Sequence, residues 1–228
     1  MSKGLFITGT GTDIGKTYVT SLIVKNLRSI GLNAGYYKPA LSGAIREDGE
    51  LTPGDCKFVA QIAGLTIPPK ELASYIFETA VSPHLAAKLE RRPIEPEVIR
   101  SDFNKFAQLH DFITIEGCGG IICPLRLDDQ TLMQTDIIKL LKLDILVVTP
   151  SGLGSINSAA LTVHYAQSQS IAVRGLILNN YDCTNFLHQD NKQAIEQLTQ
   201  TPVVACVANG ETSLDMNTTA LCSLYKEI

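Results

Sequence analysis

A lysine and a threonine follow a glycine at Gly15-Lys16-Thr17, after a stretch that already holds Gly9 and Gly11. Glycines let a chain turn its backbone N–H groups toward an anion, and a helix starting there adds partial positive charge. Lys16 is then in reach of the outer phosphates of a nucleotide, and Thr17 can place its hydroxyl on Mg²⁺. The spacing is unusual, because the common phosphate-loop pattern leaves four residues between its first glycine and Gly-Lys-Thr. Here Gly9 precedes by five and Gly11 by three, and Thr10 stands at the expected position. An ordinary glycine-rich turn is the plainer alternative. The loop's place, between the first apolar run and the first helical pattern, favours phosphate. A dinucleotide site is disfavoured, since Lys16 and Thr17 replace its third glycine and no acid follows the second strand where one is needed.

Mg²⁺ on a nucleotide takes oxygen ligands, one or two of them carboxylates. Glu116 closes the apolar run Phe112-Ile113-Thr114-Ile115, at the strand end where parallel α/β folds place their sites. Burying that charge without a partner would cost several kcal/mol, so metal binding competes with a buried ion pair. Asp55, after Pro53-Gly54, reads equally as a metal ligand or a helix cap. Lys38 before Pro39 reads on its own as an exposed turn lysine. Cys118-Gly119-Gly120 offers backbone N–H groups beside Glu116, or simply turns the chain. Asn179 fits a turn, and His84 reads as ordering a helix start.

These groups need elements to carry them. Strands are expected at 5–8, 34–37, 112–116, 145–149, 173–178 and 203–205. Helices are expected at 17–29, 55–63, 82–92 (Ser82 capping and Pro83 first), 97–109, 132–141, 155–168 and 189–198. Strands apolar on both faces, alternating with helices, imply a mostly parallel sheet flanked by helices on both faces. With no repeat, linker or low-complexity tract, the whole 228-residue chain is expected to form one domain of phosphate-loop type.

The composition is 45% hydrophobic and 18% charged, which suits a globular protein and not a disordered one. A net charge of -4 argues against an extended nucleic-acid surface. No apolar stretch approaches the roughly 20 residues that span a bilayer, and the start Met1-Ser2-Lys3-Gly4 has no leader pattern. The six cysteines lack C-x-x-C spacing and fit reduced thiols in a cytoplasm.

Together these segments resemble dethiobiotin synthetase. The match runs through residues 9–17 with their extra loop residue, Gly35-Tyr36-Tyr37-Lys38-Pro39 with Ser42-Gly43, Asp55, Ser82-Pro83-His84, Arg92-Pro93-Ile94, Glu116-Gly117-Cys118-Gly119-Gly120, Pro124-Leu125 and Gly154-Ser155-Ile156-Asn157. The resemblance implies ATP-dependent closure of a ureido ring from 7,8-diaminononanoate and CO₂ (or bicarbonate), in a homodimer whose site is shared between chains. It implies Lys16 on the phosphates, Lys38 at the carbamate and transferring phosphoryl, and Thr12 and Ser42 beside the carbamate. Thr17, Asp55 and Glu116 become the metal set. The nucleotide is held by Asp13, Ile14, Gly15, Lys16, Thr17, Tyr18, Glu116, Cys118 and Gly119, with Asn179 reading adenine. Lys38, Ser42, Gly154, Ser155, Ile156 and Asn157 face the substrate.

The chain departs from that family near its end. Ala205-Cys206-Val207-Ala208-Asn209 stands where relatives carry Gly-x-Ile-Pro, and an aromatic hydroxyl that some relatives bring from the helix near residue 190 has only Asn191 close to its place. Two rivals compete. A partitioning or switch-type ATPase normally carries an extra lysine early in its loop, where this chain has Thr10, Gly11 and Thr12. An amidotransferase of related fold needs a glutaminase domain for which there is no room.

Overall fold

Buried, β-branched segments lie between amphipathic ones along the whole computed structural model, which describes residues 2–228. The elements are β1 (Lys3–Gly9), α1 (Lys16–Ser29), β2 (Ala34–Leu41), β3 (Ile45–Glu47), β4 (Glu50–Thr52), α2 (Gly54–Ala63), a 3₁₀ turn (Pro69–Leu72), β5 (Ala73–Ile76), α3 (Pro83–Leu89) and α4 (Pro96–Leu109). They continue with β6 (Phe112–Glu116), β7 (Pro124–Leu127), β8 (Thr131–Met133), α5 (Gln134–Leu140), β9 (Ile145–Pro150), α6 (Ser155–Ser168), β10 (Val173–Asn179), α7 (Phe186–Thr199), β11 (Val203–Val207), α8 (Thr218–Ser223) and β12 (Lys226–Glu227).

Seven strands form a parallel sheet in the order β11-β10-β9-β1-β6-β2-β5, and β12 adds an antiparallel pairing to the start of β1. Alternation along the strands divides the core. Leu5, Ile7, Leu146, Val148 and Ile177 pack against α1 and α8. Phe6, Ile113, Ile115, Val147 and Leu178 face α4, α5 and α6 on the other side. This is a single α/β domain with helices on both faces, as the strand pattern required. Fully burying one such aliphatic side chain contributes about 1.5–3 kcal/mol.

Register sets up the site. Ile7 pairs with Glu116, and Tyr37 pairs with Ile115. The next residue on β2 is Lys38, which therefore lies level with Glu116 at the C-terminal edge of the sheet.

Some sequence expectations are corrected. Residues 132–133 belong to a hairpin strand: Met133 is extended (φ −101°, ψ 157°) and its N–H donates to the Asp136 carboxylate at 2.8 Å, so the helix starts at Gln134. Ser82 stands at the N-cap of α3, but its side chain accepts no capping hydrogen bond. That helix stops at Leu89, and Arg91 takes a left-handed conformation (φ 53°). Helix α7 begins three residues earlier than expected, because Asn185 caps it by accepting from the Leu187 N–H.

Candidate nucleotide and metal site

The loop after β1 opens directly into α1. Gly15 takes φ 89°, a left-handed conformation, and a Cβ there would sit 2.0 Å from Asn179 Nδ2. Both facts demand glycine. Lys16 follows as the first helical residue, buried, its ammonium donating to the Gly11 carbonyl at 2.7 Å. Burial first, and then the charge of nearby Lys38, lower its pKa. Two closely spaced cations with little water around them each disfavour the other's charge, and an anion beside Lys16 relieves both effects.

Opposite stand the acids. Glu116 is wholly buried; its Oε1 accepts from the Thr17 hydroxyl at 2.7 Å and its Oε2 from the Tyr36 hydroxyl at 3.0 Å. The Lys38 ammonium lies 2.7 Å from Glu116 Oε1 and 2.6 Å from Asp55 Oδ2, bridging the two carboxylates. Burial alone would lower the pKa of Lys38, but Glu116 and Asp55 outweigh it and hold the ammonium above its ordinary value. Burial pushes Asp55 upward, and its contacts with Lys38 and Thr17 more than offset that, leaving its carboxyl below the usual range. Tyr36, raised by burial and then by Glu116, keeps its proton and donates it.

These residues surround a cavity of about 830 Å³ at the C-terminal edge of the sheet, lined also by Thr12, Asp13, Ser42, Cys118 and Gly119. The Ser42 hydroxyl donates to the Val81 carbonyl. The donor set for a metal is all oxygen: Thr17 Oγ1 and the carboxylates of Asp55 and Glu116. Such a set suits Mg²⁺, and the Lys38 ammonium already shows a cation held between the two acids. Among the described residues no three His, Cys, Asp or Glu side chains gather as a protein-only cage.

Other expected site residues lie at the margins. Asn179 is buried and donates to the Ile14 carbonyl at 2.9 Å, while its buried Oδ1 has no hydrogen-bond partner. The Tyr18 side chain turns away from the cavity; its hydroxyl donates to the Glu211 carbonyl. Gly154, Ser155, Ile156 and Asn157 do not line the cavity. Gly154 (φ 85°) is the N-cap of α6, so Ser155 is not its own helix's cap, and its buried Oγ has no partner.

Two residues of consequence carried no sequence signal that assigned them, and a third was marked only by its place near residue 190. Tyr36 holds Glu116. Gln134 accepts from the Cys118 N–H at 2.6 Å and donates to Thr8 Oγ1 and the Gly120 carbonyl, both at 3.2 Å. That amide of Cys118 is therefore committed to Gln134 instead of standing free beside Glu116. Asn191 is the third, buried on α7.

The sheet order, the glycine loop opening into α1 and the strand-end acid define a nucleotide-binding protein of the phosphate-loop class. A family profile described as an AAA domain matches residues 3–216. Two solved structures share the fold: the MinC:MinD cell division protein complex of Aquifex aeolicus (TM-score 0.57, 14% identity, 91% of this chain and 81% of that one) and a ParA family ATPase from Chlorobium tepidum TLS (TM-score 0.57, 14% identity, 98% and 90%). At that identity they establish the fold alone. The sequence relatives are more specific. ATP-dependent dethiobiotin synthetase BioD of Clostridium botulinum strain Eklund 17B is 52% identical over 206 residues, 90% of this chain and 91% of the relative. The protein of that name from strain 657 is 48% identical over all 228 residues, the full length of both chains. The chain belongs to the ATP-dependent dethiobiotin synthetase family.

Proposed function

We infer that this chain is a carbon–nitrogen ligase that makes dethiobiotin from 7,8-diaminononanoate, CO₂ and ATP, releasing ADP and phosphate. The observation that carries the reading is one cavity, in a chain 48% identical to such an enzyme from end to end, into which Lys16, Thr17, Lys38, Asp55 and Glu116 all converge.

One substrate amine captures CO₂ as a carbamate, ATP phosphorylates it, and the second amine attacks the mixed anhydride and expels phosphate. The protein's part is positioning and electrostatics. Gly15 and the α1 N-terminus seat the phosphates, and Lys16 meets their outer oxygens. Lys38 meets the carbamate and the phosphoryl group in transfer, with the hydroxyls of Thr12 and Ser42 beside it. Thr17, Asp55 and Glu116 would hold Mg²⁺, whose role is to neutralise charge on the phosphate oxygens. Asn179 reads the adenine through its free Oδ1.

The same reading takes the working unit as a homodimer and its location as the cytoplasm. Residues 154–157 lie outside the cavity of their own chain, as a site completed by a second copy requires. Leu153, 90% exposed, and Leu161, 63% exposed, flank that region with apolar surface. Among the described residues no helix is long and apolar enough to cross a membrane.

The test is turnover. With MgATP the purified protein should release phosphate only when both diaminononanoate and bicarbonate are present, and dethiobiotin should appear in equal amount. Phosphate release at the same rate without the diamine would mean a simple ATPase.

A further inference from the structure

Asn191 lies at the head of the buried stripe of α7, where Asn191, Ile195 and Thr199 recur at four-residue spacing. An amide in such a position is costly unless its hydrogens are bonded. Asn191 Nδ2 donates to two successive carbonyls of the loop before α6: Ser151 O at 2.8 Å and Gly152 O at 3.0 Å. The loop is also anchored behind, where the Ser151 N–H donates to Asn179 O at 3.2 Å and the Ser151 hydroxyl to Asn180 O at 2.9 Å.

Those bonds have a directional effect. In a trans peptide the C=O and the N–H of the same unit point in opposite directions. Pinning the carbonyls of Ser151 and Gly152 toward α7 therefore aims the N–H groups of Gly152 and Leu153 away from it. Among the described residues neither N–H donates to a protein acceptor. The Ser155 N–H turns back to the Gly152 carbonyl at 3.2 Å, and after it come the N–H groups of Ile156 and Asn157, which have no protein acceptor among the described residues, and the buried, unpartnered Oγ of Ser155. Aligned N–H groups at a helix start form an anion cradle.

We propose that Asn191 is a positioning residue for the substrate's carboxylate: it orients the backbone N–H groups of Gly152 and Leu153 so that they join Ser155 and the start of α6 in one carboxylate cradle. This rests on the reading that the diamine's carboxylate binds at the start of α6, and it extends that subsite backward into the glycine loop. Asn191 itself does not touch the substrate. Its contact passes through two peptide units, so its loss loosens the cradle and leaves the phosphate end intact.

The experiment compares 7,8-diaminononanoate with 7,8-diaminononane, which lacks the carboxylate, in wild type, Asn191→Leu and Ser155→Ala. Leu matches Asn in shape and removes both donors. Wild type should prefer the acid in kcat/KM. In Asn191→Leu that preference should fall about tenfold, through KM for the acid, with KM for ATP unmoved. A purely structural role would instead lower kcat/KM for both diamines in parallel, and that outcome overturns the proposal. If Asn191→Leu does not fold, Asn191→Gln gives the same readout, because its amide is displaced by one methylene and cannot reach both carbonyls. The two readings fail differently. Absence of any preference for the acid in wild type, or an unchanged preference in Ser155→Ala, removes the carboxylate site itself. A preference that Ser155→Ala weakens and both Asn191 variants keep removes only the role of Asn191.

Discussion

Replacing Lys38 with methionine should expose how strongly the site depends on its bridging cation. The ammonium lies 2.7 Å from a carboxylate oxygen of Glu116 and 2.6 Å from one of Asp55. Met fills similar space without charge. Glu116 is then left wholly buried, with only the hydroxyls of Thr17 and Tyr36 as donors. Breaking a buried pair from one side costs about 3–5 kcal/mol. Asp55, with its side chain 43% exposed, adds little to that figure. For a chain of this size each kcal/mol lowers Tm by about 2–4 °C, so Lys38→Met should melt about 6–20 °C below wild type in EDTA. Lys38 has a raised pKa, so its contribution is complete below the unfolded value of about 10.4 and is lost only as pH rises through the folded one. The protonation of Lys38 itself therefore adds no slope to the gap between about pH 6 and 9. Adding Mg²⁺ supplies the opened carboxylates with another cation and should narrow the gap by linkage. Thermal unfolding with EDTA, with Mg²⁺, and with Mg²⁺ plus a non-hydrolysable ATP analogue reads all three states. A gap under about 1 kcal/mol in EDTA, or one that Mg²⁺ leaves untouched, would refute the reasoning.

Glu116→Gln should cost about 3–4 kcal/mol of transition-state stabilisation and alter the Mg²⁺ dependence of turnover; near-normal values of both would remove Glu116 from the metal set. Gly15→Ala forces a Cβ onto Asn179 at a left-handed φ, so calorimetry should show ATP affinity lost while the far-UV circular dichroism persists. If the proposed homodimer shares its sites, mixing Lys38→Ala chains with chains altered at Ser155 and Asn157 should recover about a quarter of wild-type activity, since half the dimers would be mixed and each would carry one intact site. No recovery after verified subunit exchange would mean that each chain builds its site alone. Burial pushes Cys118 up to about 11 and Cys123 up to about 12. Although both line the cavity, alkylation at pH 8 followed by mass spectrometry should label exposed Cys183 well before either.

Legibility in the sequence followed the physics of each segment. β1, its glycine loop and α1 were readable because the chemistry of phosphate restricts the residue types so tightly. The acid at the end of β6 was readable because a buried charge needs a reason. The partnership of Lys38 was not, since a lysine before proline looks like a surface turn until β2 is set beside β6. The hairpins β3–β4 and β7–β8 are short, and their alternation is too brief to show a period. Residues 132–133 continue the apolar spacing of α5, and only the bond from Met133 N–H to Asp136 separates strand from helix. Gln134, Tyr36 and Asn191 act through contacts 16, 80 and 40 residues distant in sequence. No local pattern encodes those pairings.

The strand that carries the phosphate loop is synthesised before both of its parallel neighbours and paired late. β1 lies between β6 and β9, with Lys3 against Phe112 and Phe6 against Ile145. At roughly 5–20 residues per second, β1 leaves the ribosome about 5–20 s before either neighbour exists. Through that interval Leu5, Phe6 and Ile7 form an unpaired apolar ribbon, the kind of segment that holdase chaperones recognise. Residue 228 returns to the start of β1, with the Ile228 N–H donating to the Ser2 carbonyl at 3.0 Å. A nascent chain stalled near residue 140 should thus contain the entire glycine loop and bind no nucleotide.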